Sequence, residues 1–311
     1  MSDATDAGPD GRSPTGTLSL RKPRAETLAE ALAAPPDDLP AAEDIDRLRQ
    51  ALGRDLLAVA GDLPAGDSLR MDAFTMRLAR RHPERCMHAA DTEFVPTPRN
   101  CRRAVGIAAV RACVRGASPG PAAAVAEVLA SGVEDVARPS DDRGSRPPWW
   151  AGWYAGLPAG GQAVVQAEAV AWATRLLTAV AWGHLSRPAV IGGRDDWWQC
   201  PGSRSVVLRG QADVRVPVQR RLALLVVGTG RCPEDWRTEL CFPGLVATLV
   251  RDAQAAPCRV VGIWPDSGQV RVLPVSLPML RAGAVEVVSA VATWVDGRIE
   301  ARRPTEVRDS A

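Results

Sequence analysis

Apolar residues recur along the first part of the chain with helical spacing. From 41 to 63 they fall at Ile45, Leu48, Leu52, Leu56 and Val59, three and four apart, which lays them on one helix face. A second helix is predicted over 68–81 with Met71, Phe74 and Leu78 inward. A third starts at Thr97, a hydroxyl N-cap followed by Pro98 in the first helical position, and runs to about 115. A fourth covers 122–130, after Pro121. Residues 25–131 therefore read as an all-helical region. The 24 residues before it are Gly, Pro, Ser, Asp and Thr with few apolar side chains, a composition that predicts a disordered tail.

Residues 132–148 are rich in Asp, Arg, Ser, Gly and Pro and read as an exposed linker. Beyond them the pattern turns mixed. A helix is predicted over 161–182, with Val165, Trp172, Leu176 and Ala179 on one face. Strands follow over 205–209 and 212–218, the second alternating Ala212, Val214, Val216 and Val218 against Asp213 and Arg215. The continuous apolar run 222–227 has the character of a central strand buried on both faces. A helix over 235–253 leads to strands 259–264 and 269–275, joined by the turn Pro265-Asp266-Ser267-Gly268. A last helix over 278–296 buries Leu280, Ala284, Val287, Val288, Val291 and Val295, with Gly297 as its stop. Residues 299–311 read as a second tail. The order from 149 to 298 is helix, three strands, helix, two strands, helix.

Composition narrows this picture. A chain of 311 residues that is 46% apolar is long enough for two modest globular domains. A formal charge of +2 shows no whole-molecule commitment to nucleic acid or membrane, so any nucleic-acid surface must be local. The seven cysteines include no C-x-x-C pair and read as reduced thiols of a cytoplasmic protein. With no basic-then-apolar leader and no apolar run long enough to span a bilayer, neither secretion nor a membrane partner is expected. Lys22 is the sole lysine, so basic positions are otherwise arginine.

That element order carries a candidate chemistry. Leu208-Arg209-Gly210-Gln211-Ala212-Asp213 and then Leu225-Val226-Val227-Gly228-Thr229-Gly230-Arg231, followed by the segment from Glu239 to Leu245, resemble the RecB-like branch of the PD-(D/E)XK nuclease superfamily. The resemblance covers about 149–298 and implies an α/β, restriction-endonuclease-like α-βββ-α-ββ-α core behind the all-helical region. Such enzymes hold Mg²⁺ between carboxylates on two adjacent strands, and a lysine two residues beyond the second carboxylate orients the attacking water. The D/E-x-K spacing follows from side chains two apart sharing a strand face. The likeness places Asp213 and Glu168 at two acidic positions. It places Val226 at the second carboxylate, Gly228 at the lysine and Pro243 at a helix tyrosine. The implied protein has lost nuclease activity and binds DNA or a protein partner, with no cofactor. If it is active, Mg²⁺ or Mn²⁺ sits at Glu168 and Asp213, completed by Glu234 or Asp235.

Other clusters carry less. Arg77, Arg80 and Arg81 on one helix and Arg99, Arg102, Arg103 and Arg111 on the next form the local basic cluster suited to phosphates; Arg77, Arg81, Arg99, Arg102 and Arg103 are the DNA-binding candidates. Against this stands a plain solvated face. Trp149, Trp150, Trp153 and Tyr154 offer either interdomain packing or a surface for a protein partner. Asp195-Asp196 beside Trp197-Trp198 rims a pocket or an interdomain contact. Cys86-Met87-His88 with Cys101 lacks the regular four-ligand spacing of a zinc site, and His184 has no nucleophile partner.

Overall fold

The computed structural model describes residues 32, 38–63, 67–86, 95–138, 147–180, 182, 190–191, 195–203, 205–218 and 221–302. The expected tail 1–24, most of the expected tail 299–311, Met87, His88 and His184 lie outside these. Among the described residues the chain is mixed α/β, with nine helices and two mixed sheets.

The first region holds α1 (Ala42–Ala60), β1 (Leu69–Met71), α2 (Ala73–Arg81), α3 (Pro83–Cys86), α4 (Pro98–Val114) and α5 (Pro121–Ala137). Periodicity located α1, which buries Ile45, Leu48, Leu52 and Leu56. Thr97 caps α4 as expected, its hydroxyl accepting from the Asn100 N–H at 3.2 Å. The region is not all-helical, however. Leu69–Met71 is a strand, and α2 begins only after Asp72, whose carboxylate caps the Phe74 and Thr75 N–H groups while Thr75 caps back. Met71 enters the core from the strand, and Met76 and Ala79 face inward on α2; Phe74, expected inward, is 65% exposed.

The helix α5 runs through Gly132 to Ala137, so the linker expected over 132–148 is helical at its start. Gly132 is there for packing: a Cβ on it would lie 2.4 Å from the Trp150 ring.

Next come α6 (Ala151–Ala155), α7 (Ala159–Ala179), β2 (Val190–Ile191), β3 (Asp196–Gln199), β4 (Val206–Gly210), β5 (Val214–Val218), β6 (Arg221–Val227), α8 (Trp236–Val250), β7 (Pro257–Trp264), β8 (Gln269–Pro274) and α9 (Leu277–Arg302). The large sheet has the order β2-β5-β6-β7-β8. Its β6–β7 pair is parallel, crossed by α8, and the other pairs are antiparallel. The turn before β8 is as expected, with Gly268 at φ +64°. The three expected strands before α8 do not share one sheet. β4 lies between β1 and β3 in a small sheet, and β2 takes the edge beside β5. A buried triad ties the sheets together: Asp196 of β3 accepts from Arg215 of β5 at 3.2 Å and from Arg251, just past α8, at 2.7 Å.

Two cores flank the large sheet. On one face α4, α5, α6 and α7 pack on Val214, Val216, Val218, Ala223, Leu225 and Val227. On the other, Leu224 and Val260 meet α1, α2, α8, α9 and the small sheet. Alternation along β6 explains why its whole apolar run is needed. Both cores draw residues from before and after 132–148. The helix α9 does not stop at Gly297, because Ile299 packs on the core shared by α1, α2 and α8, and Arg298 donates to the Ser68 carbonyl at 3.1 Å. Residues 299–302 are therefore helical rather than tail. No described helix is long and apolar enough to cross a membrane.

Candidate functional site

The parallel strands β6 and β7 end side by side, at the sheet edge where open α/β sheets offer their crevice. Asp213, just before β5, joins them: its N–H donates to the Leu225 carbonyl at 2.9 Å. The first turns of α4 lie over this edge, and α7, packed on α4, brings Glu168 and Arg175 beside it.

Arg103 and Asp213 close a ring with the end of β6. The Arg103 Nη2 group donates to both Asp213 oxygens at 2.6 and 2.7 Å, and its Nε donates to the Val227 carbonyl at 2.8 Å. The Val227 N–H donates back to Asp213 Oδ2 at 2.7 Å. The Asp213 side chain is 13% exposed, so the pairing also keeps a nearly buried carboxylate from standing alone.

A second knot forms on Asp266 in the β7–β8 turn. It accepts from Arg102 at 3.0 Å, Arg175 at 3.2 Å and the Gly230 N–H at 2.7 Å. Glu168 stands 3.8 Å from Arg102. Arg99 donates to the Thr229 hydroxyl at 2.6 Å and to the Thr229 carbonyl. Gly230 has φ +79°, a left-handed conformation that favours glycine, and lets the loop tuck beneath Arg99. Arg99, Arg102, Arg103 and Arg175 against Asp213, Asp266 and Glu168 leave one net positive charge at this rim.

The two degenerate motif positions diverge. Val226 turns to the core shared by α1, α2, α8 and α9, while Asp213 is held from the α4 side. Gly228 lies under the Trp264 indole: a Cβ there would sit 2.3 Å from Trp264 Nε1. A lysine at 228 is thus sterically barred unless Trp264 moves. Pro243 is buried in the middle of α8.

The arginines of α2 serve elsewhere. Arg77 pairs with Glu239 at 2.8 Å, and Arg80 and Arg81 both hold Asp235 at the start of α8. Burial pushes the Asp235 carboxyl up, but the hydrogen bonds and charges of Arg81 and Arg80 outweigh it and hold the group below the ordinary carboxylate value. Of the five DNA-binding candidates, Arg99, Arg102 and Arg103 therefore gather at one rim, and Arg77 and Arg81 form a separate clasp. Glu234 is exposed.

Sequence reasoning missed Asp266, Arg175 and Trp264. In the sequence Asp266 reads only as part of the turn 265–268. Arg175 follows Glu168 by seven residues, two helical turns, a spacing that puts both on one face.

The weaker candidates separate. Cys86 lies in the core shared by α1, α2, α8 and α9, and Cys101 in the core under α4–α7. Burial pushes the Cys101 thiol up to about 11. No group of three or more His, Cys, Asp or Glu side chains among the described residues is arranged to hold a metal. Trp150 and Tyr154 are buried edge to face at 6.4 Å, whereas Trp149 is 46% exposed. Asp195 pairs with Arg209 at 2.7 Å, and Asp196 belongs to the buried triad.

No protein-family model matches the chain, and no curated protein matches it either.

Proposed function

We propose that the chain is a non-hydrolytic protein of the PD-(D/E)XK kind that binds DNA at the rim formed by Arg99, Arg103 and Arg175. The observation that carries the reading is Arg103 on both oxygens of Asp213. In the resemblance Asp213 is a metal ligand; here a guanidinium takes the cation's place, fixed in a planar fork. The donor set does not fit Mg²⁺ or Mn²⁺, which want several carboxylate or water oxygens in octahedral array. Asp213 is engaged, Val226 carries no oxygen, and Glu168 lies nearest Arg102. The run β4, β5, β6, α8, β7, β8, α9 supports the family likeness, although β2 and β3 intervene between α7 and β4, and β4 sits in the small sheet.

DNA binding is supported by exposure together with the net charge. The Arg103 and Arg175 side chains are 39% and 54% exposed, Arg99 is exposed, and Arg231 follows in the same loop, also exposed. These edges face outward while their other nitrogens hold the rim together. An active nuclease rebuilt with Asp235 has less support, since two arginines hold that carboxylate at the start of α8. A Trp-rich partner surface has less too, because only Trp149 of Trp149, Trp150 and Tyr154 is exposed.

The test is duplex binding as a function of salt for the parent and for Arg99→Ala/Arg175→Ala, which spares the Arg103–Asp213 ring. Affinity should fall steeply with salt, and the variant's log–log slope should be shallower by about two, one for each lost phosphate contact. Unchanged affinity and slope would remove the rim from consideration.

A further inference from the structure

The small sheet has a second, outward face that the rim does not use. Along its strands the buried residues Trp198, Val206, Leu208, Leu69 and Met71 alternate with outward Trp197, Val207, Arg209 and Arg70. Strand pairing sets Arg209 opposite Trp197, and Arg70 beside Val207 one strand further on. Both guanidinium groups reach the Trp197 ring, at 5.1 Å for Arg70 and 5.3 Å for Arg209, yet the residue stays 44% exposed. Asp195 neutralises Arg209 at 2.7 Å, and Arg70 is paired with no carboxylate among the described residues. The face therefore combines an open indole with one uncompensated positive charge.

A cation–π stack alone stabilises a sheet face modestly and does not require the indole to stay open to solvent. An exposed aromatic ring flanked by arginines on an open sheet is the arrangement that takes an unpaired base on the ring and its phosphates on the cations. Duplex DNA keeps its bases stacked inside and has none to offer. We propose that this face is a stacking platform for single-stranded DNA, with Trp197 receiving a base and Arg70 and Arg209 contacting the phosphates beside it. Choosing DNA over RNA rests on the DNA-binding reading above; the platform's chemistry does not. A base stacked on an indole is read by its π-face rather than by its edges, so the binding is sequence-tolerant.

The experiment is fluorescence anisotropy with a labelled oligo(dT) of about a dozen nucleotides, within the usual reach of such surfaces. The same length of duplex and of oligo(U) run beside it, with the parent, Trp197→Ala, Trp197→Phe, Arg70→Gln and Arg99→Ala/Arg175→Ala. The parent should bind oligo(dT) more tightly than duplex. Trp197→Ala should lose about tenfold in affinity, the scale of one lost stacked base. Trp197→Phe should keep most of the affinity, and Arg70→Gln should flatten the salt slope by about one. The rim variant should lose duplex binding and keep its oligo(dT) affinity, which separates the two proposals. Failure of the parent to bind oligo(dT), or equal binding by Trp197→Ala and the parent, would overturn the platform. Equal or tighter binding of oligo(U) would overturn the assignment to DNA. If Trp197→Ala does not fold, Arg70→Gln and Trp197→Phe decide the matter: full affinity with an unchanged slope in Arg70→Gln would overturn it.

Discussion

Glycines seat Trp150, Trp172 and Trp264. A Cβ on Gly106 would lie 2.3 Å from the Trp172 ring, and Gly132 and Gly228 stand in the same relation to Trp150 and Trp264. In the sequence Gly132 reads as the start of a linker and Gly228 as the position of a missing lysine, and Gly106 carries no signal of its own. Their partners lie 18 to 66 residues away, beyond any local pattern. Asp213 shows the same limit: its motif makes it visible, but its partner Arg103 stands 110 residues earlier, where the sequence offers it only as a phosphate-binding candidate. The Gly228 contact gives a direct prediction. Gly228→Ala should destabilise by about 1–3 kcal/mol, the scale of an overpacked site. In a denaturation double-mutant cycle with Trp264→Leu, the pair should cost clearly less than the sum of the single changes. Simple additivity would mean that the indole does not occupy the space above Gly228.

Elements with a strong period and a cap were legible, and those fixed by a distant neighbour were not. The helix α1 followed from apolar spacing, α4 from Thr97 and Pro98, and β6 from its unbroken apolar run. β1 is three residues long, too short for any period to show, and exists because β4 pairs with it. The Asp72–Thr75 reciprocal cap was a readable signal for where α2 begins. At the start of α8, the joint hold of Arg80 and Arg81 on Asp235 sets a pH dependence. The folded-state pKa lies below the ordinary 3.8, so the carboxylate's contribution to stability is full above about pH 4 and is lost as pH falls through the folded value. Asp235→Asn should therefore be less stable than the parent at pH 7 by urea denaturation, and the gap should close as the solution is taken below pH 4. A gap independent of pH would show that the charge of Asp235 adds nothing.

At the scale of the molecule, the order from β4 to α9 was readable, but β2 and β3 between α7 and β4 were not, nor was the dependence of 149–298 on the first region. α1, β1 and α2 help build one core, and α4 and α5 cover the other face of the large sheet. A fragment spanning 147–302 loses those layers and exposes both faces of the sheet. It should show no cooperative thermal transition by circular dichroism, whereas residues 38–302 should; a cooperative, native-like fragment would mean that the first region is a separate unit. The same interlocking places α4 against the sheet edge, and so puts Arg103 on Asp213 where the resemblance calls for a metal. On the proposed reading this replacement ends hydrolysis. Incubating the 311-residue protein with linear and single-stranded DNA in Mg²⁺ and in Mn²⁺ tests it most directly. The DNA should stay intact in both metals, and metal-dependent cleavage that disappears in a folded Asp213→Ala variant would contradict the proposed function.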